Sequence, residues 1–398
     1  MNHRRRVLRI IARLNVGGPA KHVSWASQGL NRIGWCNLLV YGDVESNEDD
    51  LSHFARKCGI RLLKLPTLSS SISLFKDLRC ILSLYSILDR FRPLICHTHT
   101  SKAGFLGRLS VLLWRILHPF SKAPMVVHTF HGHTFHGYFS PWKHRLFLWI
   151  ERLLALLGSD VIITISSQQQ KEILDTYQVG NLKQHKIIPL GVETDFALEL
   201  DFNSLRDSFG ISSQSTVFGI VGRLSSIKNH KLFFEAIQVF QGSGDSTDVH
   251  FLIVGGGSRE FETLLRDLVG SMELKNVHFT GNVEDPRQIY GALDCLVLTS
   301  INEGTPLSIL EAFACGIPVI ASAVGGIVDL LGVQGERGIL ISDPKPSEFA
   351  SQFQSITDEI PTQKVALARQ FVQERYSVNR LIKDLDQLYS QLAEGEQS

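Results

Sequence analysis

The chain alternates short apolar segments with longer helical patterns, and it does so in both halves of its 398 residues. Each short segment is rich in Val, Ile and Leu, and turn residues separate it from the helical pattern that follows. Strands that alternate with helices in this way form parallel sheets whose faces the helices cover. We therefore expect an α/β fold with two Rossmann-like parallel-sheet domains.

The apolar segments give the order of the predicted elements. In the first half, strands are predicted at Val7–Leu14, Asn37–Gly42, Pro93–Thr98 and Asp160–Ile165, with another beginning at Val126. In the second half, they are predicted at Val217–Val221, Val249–Val254, Val277–Thr280, Cys295–Thr299, Pro318–Ser322 and Gly338–Ile341. The helices between them include Ala20–Asn31, 72–91, Phe105–Phe120, 141–157, Ser166–Gln178, His230–Gln241 and Asp285–Leu293.

Domain boundaries follow from the hydrophobic periodicity, which is lost between about residues 191 and 214. We interpret that stretch as a linker between an N-terminal domain, residues 1–195, and a C-terminal domain, residues 196–370. Helices in residues 371–398 are expected to cross back onto the first domain.

A loop that runs into a short helix is the most informative local motif of the second half. Thr305 is the predicted N-cap, Pro306 suits the first helical position, and Gly316 suits a left-handed C-cap. A helix N-terminus attracts anions such as phosphate. Glu303 and Glu311 flank it, and carboxylates accept hydrogen bonds from sugar hydroxyls. The motif therefore predicts a site for an anion that carries sugars.

Two other loops that follow predicted strands could contact a phosphate. Arg223 and Lys228 lie in one of them, and both are cations suited to a diphosphate. Gly17 and Gly18 form a glycine turn between the first strand and its helix. An ordinary βα turn is the alternative for these glycines. Because neither half has the dinucleotide spacing G-x-G-x-x-G, a dehydrogenase is disfavoured.

A loop rich in histidine follows the strand that begins at Val126. Several histidines together could bind zinc, but no cysteine or carboxylate falls at ligand spacing nearby. The D-x-D motif at Asp384–Asp386 lies on a predicted C-terminal helix. We interpret its carboxylates as solvent-exposed surface groups and not as metal ligands, so no metal is expected. A histidine after a strand of an open α/β sheet can position or deprotonate a hydroxyl near neutral pH.

The charge and the apolar helices of the first half predict contact with a membrane surface, although no transmembrane helix is predicted. No apolar segment reaches the roughly 18 residues that a membrane-spanning helix needs. Residues 1–200 carry 25 Lys and Arg against 14 Asp and Glu, whereas the net charge of the chain is +1. The helices Phe105–Phe120 and 141–157 are apolar nearly all round and carry Trp and basic residues. They could lie in an anionic membrane interface or be core helices of the first domain.

The six cysteines show no C-x-x-C spacing and fit reduced cytosolic thiols. We therefore expect a cytoplasmic protein that makes peripheral contact with the inner face of a membrane and binds no nucleic acid.

The segment Gly222–Lys228, followed by E-G-T-P-L-S-I-L-E at Glu303–Glu311, resembles the retaining glycosyltransferases of family 4. The resemblance covers nearly the whole chain. The segments H-T-H-T-S-K-A-G-F-L-G-R and H-T-F-H-G-H further resemble members that build surface polysaccharides on lipid-linked acceptors. The resemblance implies the GT-B fold, in which two Rossmann-like domains face each other across a cleft.

The resemblance also implies roles for single residues. His131, Glu303, Arg223 and Lys228 would be catalytic, and His99, Lys102 and His133 would lie on the acceptor side, with His133 competing with His131 for the place nearest the reaction centre. The donor-binding residues would be Gly17, Gly18, Arg223, Lys228, Asn282, Val283, Glu303, Gly304, Thr305, Pro306, Leu307 and Glu311.

The activity that the resemblance implies is the retaining transfer of a hexosyl group from a nucleotide sugar, UDP-linked, to a saccharide or lipid-linked saccharide. No cofactor is expected, because Arg223 and Lys228 could stabilise the leaving diphosphate as a metal does elsewhere. Two alternatives remain open: a nucleotide-sugar epimerase or hydrolase of the same fold, and a non-catalytic nucleotide-sugar-binding protein.

Overall fold

The computed structural model describes residues 5–15, 17–44, 50–69, 73–132, 141–244 and 248–395. The chain divides into two compact units, Met1–Gly191 with Val378–Ser398 and Val192–Ser377. The division after residue 191 lies close to the expected boundary at 195. The return to the first unit comes at residue 378 rather than 371, because Val372 and Tyr376 pack in the core of the second unit.

The first unit contains a seven-stranded parallel sheet with the order β3-β2-β1-β4-β5-β6-β7. Its strands are β1 (Arg6–Arg13), β2 (Cys36–Gly42), β3 (Arg61–Lys64), β4 (Ile95–His99), β5 (Met125–Phe130), β6 (Val161–Thr164) and β7 (His185–Ile187). Its helices before the division are α1 (Gly18–Arg32), α2 (Ser52–Lys57), α3 (Leu74–Phe91), α4 (Ser101–Leu117), α5 (Pro141–Gly158) and α6 (Ser167–Lys171).

The second unit contains a six-stranded parallel sheet with the order β10-β9-β8-β11-β12-β13. Its strands are β8 (Thr216–Val221), β9 (Val249–Val254), β10 (Val277–Gly281), β11 (Cys295–Leu298), β12 (Val319–Ser322) and β13 (Ile339–Ile341). Its helices are α7 (Ser204–Ser208), α8 (His230–Gly242), α9 (Arg259–Ser271), α10 (Pro286–Ala292), α11 (Leu307–Cys315), α12 (Ile327–Leu331), α13 (Pro346–Asp358) and α14 (Thr362–Tyr376).

The last helix, α15 (Val378–Glu394), packs on the first unit and contacts α1. Leu381, Leu385 and Tyr389 of α15 lie in the same apolar cluster as Val7 of β1. The C-terminal segment therefore completes a face of the first sheet.

Each sheet has one place where the strand order changes direction. In the first unit it lies between β1 and β4, and in the second unit between β8 and β11. Ligands of open parallel sheets bind outside the carboxyl ends of the strands at such a switch point. The loops that follow these four strands are therefore the places to look for a site.

Several predicted elements differ from those observed. The edge strands β3 and β7 were not predicted; they are four and three residues long. The helix predicted at Phe105–Phe120 spans Ser101–Leu117. The expected linker, residues 191–214, contains the short helix α7. Within the described residues, none of the helices combines the length and apolar character needed to cross a bilayer.

Candidate functional site

The loop after β8 and the loop after β11 meet at the switch point of the second unit. Nζ of Lys228 lies 2.7 Å from Oε1 of Glu303, and Oγ of Ser300 donates to the same oxygen at 2.8 Å. The side chains of Lys228 and Glu303 are only 16% and 14% exposed. The structure thus brings two of the predicted catalytic residues into a mostly buried ion pair.

Backbone contacts hold the two loops together beneath this ion pair. Oγ1 of Thr299 donates to the carbonyl oxygens of Lys228 and Asn229, at 3.0 and 3.1 Å. The N–H of Ile301 donates to the carbonyl of Ile227 at 2.8 Å. These contacts fix the backbone of the loop around Lys228 relative to the end of β11.

Gly222 lets Lys228 lie directly against the end of β8. A Cβ atom added at Gly222 would lie 2.8 Å from Cε of Lys228, and the φ of Gly222 is +151°. Arg223 follows it and is exposed. The structure therefore separates the two predicted cations by environment, since one is buried in an ion pair and the other reaches solvent.

Helix α11 begins at Leu307, and Pro306 is its N-cap residue. The predicted N-cap at Thr305 is wrong, because Pro306 still has an extended ψ of 118°. Proline has no side-chain oxygen, so Pro306 cannot accept a hydrogen bond from the first turn as Ser or Asp would. The N–H groups at this N-terminus consequently lack the usual side-chain cap and suit an anion.

Glu311 lies inside α11, and its side chain is nearly buried. The hydroxyl of Tyr290 donates to Oε2 of Glu311 at 2.7 Å. Burial and the neighbouring carboxylate raise the pKa of Tyr290 well above its usual value, so the phenol remains a donor. Tyr290 was not predicted as a site residue. Because it lies on α10, far from the motif in sequence, only the fold reveals the contact.

Two glycines after β12 support the loop that carries Glu303. The N–H of Gly326 donates to the carbonyl of Glu303 at 3.0 Å. A Cβ atom at Gly325 would lie 2.1 Å from that carbonyl oxygen, and one at Gly326 would lie 1.8 Å from the carbonyl oxygen of Gly304. The Gly-Gly pair in the sequence was a signal for this close approach, although no role was assigned to it.

Asn282 and Val283, two of the predicted donor-binding residues, follow β10. A Cβ atom at Gly256, in the turn after β9, would lie 2.7 Å from Nδ2 of Asn282. Asn282 therefore packs closely against this glycine turn, whereas Val283 packs against the apolar core. Both residues lie at the carboxyl edge of the same sheet as Lys228 and Glu303.

A histidine cluster lies at the switch point of the first unit. Nδ1 of His99, at the end of β4, lies 2.9 Å from Nε2 of His131, which follows β5. The ring centroids of His22, on α1, and His131 are 5.1 Å apart. Gly17 and Gly18 precede His22 at the start of α1. The structure therefore brings the predicted residues His99 and His131 together and adds His22.

Arg9 of β1 is buried beneath these rings. One of its terminal nitrogens lies 3.2 Å from Nδ1 of His97 and 3.3 Å from Nε2 of His99. Burial, and then Arg9, lower the pKa of His131 to about 3. Burial also lowers the pKa values of His22, His97 and His99 well below their usual range. The rings are therefore neutral near pH 7.

The remaining acceptor-side candidates have different places. Nζ of Lys102 lies 2.6 Å from Oδ2 of Asp77, and both side chains are largely buried. Lys102 is thus engaged in an ion pair between α4 and α3. His133 lies outside the described residues.

Comparisons with known proteins agree with this architecture. Residues 17–191 match the family described as "Glycosyl transferase 4-like domain", and residues 215–359 match "Glycosyl transferases group 1". The two matches fall on the two units separately.

Two curated relatives align with most of the chain. The UDP-Gal:alpha-D-GlcNAc-diphosphoundecaprenol alpha-1,3-galactosyltransferase of Escherichia coli is 31% identical over 307 residues, which are 75% of this chain and 76% of that protein. The capsular polysaccharide biosynthesis glycosyltransferase CapM of Staphylococcus aureus is 24% identical over 331 residues, 80% of this chain and 82% of CapM.

Solved structures show the same fold at low identity. A glycosyltransferase from Rickettsia africae has a TM-score of 0.78 at 18% identity, covering 98% of this chain and 99% of that one. The Anabaena protein Alr3699/HepE in complex with UDP has a TM-score of 0.77 at 18% identity, covering 97% and 99%. With a family match on each unit and the E. coli relative aligned over three quarters of the sequence, the chain belongs to the group 1 glycosyltransferases and has their GT-B fold.

Proposed function

We propose that this glycosyltransferase moves a hexosyl group from a UDP-sugar to a lipid-linked saccharide in surface-polysaccharide biosynthesis. The observation that carries the proposal is the Lys228–Glu303 ion pair beside the N-terminus of α11, at the switch point of the second sheet. The E. coli relative is named for UDP-Gal and a diphosphoundecaprenol-linked GlcNAc, and CapM is named for capsular polysaccharide biosynthesis.

The chemistry of transfer explains why these groups would be needed. Cleavage of the anomeric C–O bond leaves the bonding electron pair, and so negative charge, on the nucleotide diphosphate. Arg223, Lys228 and the amides at the start of α11 would stabilise that charge. The carboxylates of Glu303 and Glu311 would accept hydrogen bonds from hydroxyls of the sugar and the ribose, respectively.

The proposed reaction retains the anomeric configuration and uses no metal. The acceptor hydroxyl would attack from the face that the diphosphate leaves, and the departing phosphate oxygen would take its proton. The cationic side chains and the amide N–H groups at the start of α11 would stabilise the negative charge that a divalent ion stabilises elsewhere.

The test compares substitutions at the ion pair with a matched lysine. Lys228→Met and Glu303→Gln should lower UDP release from a screened UDP-sugar, with membrane extract as acceptor, by roughly 10²–10³-fold. Lys231→Met is the control, because Lys231 lies on α8 and its side chain is 70% exposed. Near-normal turnover in both site variants would refute the site.

The same assay separates the alternatives. Product that forms at the same rate without acceptor would indicate an epimerase or hydrolase. Binding of UDP without turnover of any UDP-sugar would indicate a non-catalytic protein. Activity that EDTA abolishes and Mg²⁺ restores would contradict metal-independent transfer.

We further propose that the first unit contacts an anionic membrane through the layer formed by α3, α4 and α5. Helix α4 contacts both of the others. Exposed apolar side chains lie along all three helices and the turn after α4: Leu74, Phe75, Leu78, Leu82, Ile116, Leu117, Phe120, Trp142, Leu146, Trp149, Leu153, Leu156 and Leu157. Exposed apolar groups of this number suit a lipid interface better than water.

The charges of this layer favour anionic lipid. Each carboxylate that the three helices carry has a cation partner: Asp77 with Lys102, Asp89 with Arg92, and Glu151 with Arg108. Lys76, Arg79 and Arg145 are exposed on the same helices. The layer would therefore present basic and apolar groups together.

Vesicle flotation tests this contact. The protein should float with vesicles that contain phosphatidylglycerol and less with phosphatidylcholine alone, and high salt should weaken the binding. Trp149→Ser with Leu156→Ser should reduce flotation, whereas Leu198→Ser with Leu264→Ser, equally exposed but in the second unit, should not. Equal flotation of all variants would count against the layer.

The proposed location is the cytoplasmic side of that membrane. All six cysteines lie in the described parts of the chain; none of them forms a disulfide, and three of them are buried. Cysteines that form no disulfide suit a reducing compartment. This placement would also put the protein where a lipid-linked acceptor is accessible from the interior of the cell.

A further inference from the structure

Arg9 is a buried cation whose described hydrogen-bond partners are all neutral. Its side chain is fully buried in the central strand β1. It donates to Oδ1 of Asn37 at 3.1 Å and to the hydroxyl of Tyr389 at 3.0 Å, besides the contacts to His97 and His99. A guanidinium has only donor groups. Arg9 therefore fixes the direction of every hydrogen bond that it makes.

Because Arg9 can only donate, it determines which nitrogen donates in the hydrogen bond between His99 and His131. Nε2 of His99 lies 3.3 Å from Arg9 and must be the acceptor nitrogen. The proton of neutral His99 is then on Nδ1, which donates to Nε2 of His131 at 2.9 Å. Nε2 of His131 is thus also an acceptor, so the proton of neutral His131 is on Nδ1.

Nδ1 of His131 is buried and has no hydrogen-bond partner among the described residues. A buried N–H without a partner costs roughly 1–3 kcal/mol, so its retention suggests a ligand atom that satisfies it. An N–H can be satisfied only by an acceptor oxygen or nitrogen. A sugar hydroxyl supplies such an oxygen.

A parallel set of contacts holds Arg9 in place. Nδ1 of His97 accepts from Arg9 and from the hydroxyl of Tyr389, at 3.2 and 2.5 Å. Nε2–H of His97 then donates to Oγ1 of Thr129 at 2.7 Å. Because Tyr389 lies on α15, the returning C-terminal helix helps to orient the guanidinium.

We infer that Arg9 is a positioning residue, which acts through His99 to hold His131 as the Nδ1–H tautomer, so that His131 donates a hydrogen bond to a substrate hydroxyl oxygen. In this role His131 accepts no proton during transfer. The part that concerns substrate rests on the proposed function, whereas the tautomer is a property of the unliganded protein. Among the described residues, the titratable groups that interact with His131 are Arg9, His22, His97, His99 and His128, none of which is a carboxylate.

Nitrogen NMR of the histidine-labelled full chain tests the tautomer without substrate. The expected spectrum shows a protonated Nδ1 and an unprotonated Nε2 for His131 at pH 7. Arg9→Lys keeps a donor cation and should preserve this tautomer. Arg9→Met removes the donor cation and should shift His131 toward the Nε2–H tautomer. A wild-type His131 with its proton on Nε2 would overturn the inference.

Two substitutions at His99 supply the same test if Arg9→Met does not fold. The amide nitrogen of Asn reaches the position of Nδ1, so His99→Asn can still donate to His131 and should preserve its tautomer. His99→Leu cannot donate a hydrogen bond to His131, so His131 should no longer be held as the Nδ1–H tautomer. An unchanged His131 tautomer in His99→Leu would overturn the role assigned to the chain of hydrogen bonds.

Kinetics of His131 variants distinguish a donor from a base. His131→Asn keeps an N–H near Nδ1 but cannot take up a proton, so it should retain kcat within about tenfold of wild type, whereas His131→Leu should lose about 100-fold. Equal loss in both variants would overturn the donor role. If no UDP-sugar is turned over and the Nδ1–H tautomer is nevertheless present, the proposed function fails while the positioning by Arg9 stands.

Discussion

Nζ of Lys228 and Oε1 of Glu303 lie 2.7 Å apart although 75 positions separate the two residues in the chain. The contact joins the loop after β8 to the loop after β11, the two strands on either side of the switch point. Since each side chain orients the other, the two are expected to behave as one unit.

The first prediction concerns this coupling. In a double-mutant cycle, Lys228→Met and Glu303→Gln should each lower kcat by roughly 10²–10³-fold, and the double variant should be little worse than either. The measurement is the rate of UDP release for the four proteins at saturating donor. Fully additive losses would show that the residues act independently.

The second prediction concerns the glycine pair after β12. Gly326→Ala would place a Cβ atom 1.8 Å from the carbonyl oxygen of Gly304. The loop that carries Glu303 must shift, so the variant should lose roughly 1–3 kcal/mol of unfolding free energy and most of its thermal stabilisation by UDP.

Gly270→Ala is the control for that variant. Gly270 lies in α9, and an added Cβ would meet no atom within 4 Å. This control should be neutral or stabilising, because alanine favours a helix. Equal UDP-induced shifts in melting temperature for both variants would contradict the proposed support of the loop.

The third prediction concerns Tyr290 and Glu311. Tyr290→Phe removes the hydroxyl that donates to Oε2 of Glu311 at 2.7 Å inside the protein. The loss of this charge-assisted bond should lower the free energy of unfolding by roughly 1–3 kcal/mol and weaken UDP binding. Urea unfolding and calorimetric titration with UDP measure the two effects. Tyr85→Phe serves as a control, since the Tyr85 ring stacks on His118 away from this helix.

The fourth prediction is a loss of stability in mild acid. Burial keeps His22, His97, His99 and His128 neutral, with pKa values well below 6.5 in the folded chain. Below pH 6.5 the unfolded chain binds protons that the folded chain does not. The free energy of unfolding therefore decreases as the pH is lowered. Each histidine contributes up to about 1.4 kcal/mol per pH unit.

Urea unfolding at pH 7.5 and at pH 5.5 measures this effect. The midpoint should be clearly lower at pH 5.5. Above pH 7 the histidines are neutral in both states and should contribute no further dependence. A constant midpoint from pH 7.5 to 5.5 would mean that these rings are protonated in the folded protein.

The sequence was sufficient to predict the central strands and to predict that Lys228 and Glu303 lie close together. Segments such as Val249–Val254, V-H-F-L-I-V, are apolar at all but one position, and parallel strands bring their carboxyl ends to one edge of the sheet. The edge strand β3, R-L-L-K, could not be recognised, because its flanking charges interrupt the apolar pattern.

The site in the first unit was less predictable. Arg9 stands inside an apolar strand, and only the sheet register shows that it pairs with His97. The N-cap at Thr305 was wrong because a proline can be the cap residue itself when its ψ is extended. Local sequence rules describe neighbours along the chain, whereas these contacts depend on residues brought together by the fold.

The return of α15 to the first unit has a consequence for biosynthesis. A nascent chain exposes Arg9 early, but the phenol that orients this guanidinium arrives only with residue 389, after the whole second unit has been translated. The N-terminal unit cannot reach its final internal hydrogen bonding while the ribosome is still making the other. Fragments that stop before α15 would therefore leave a buried cation without its phenol, and expression of the first 191 residues alone would not yield an equivalent domain.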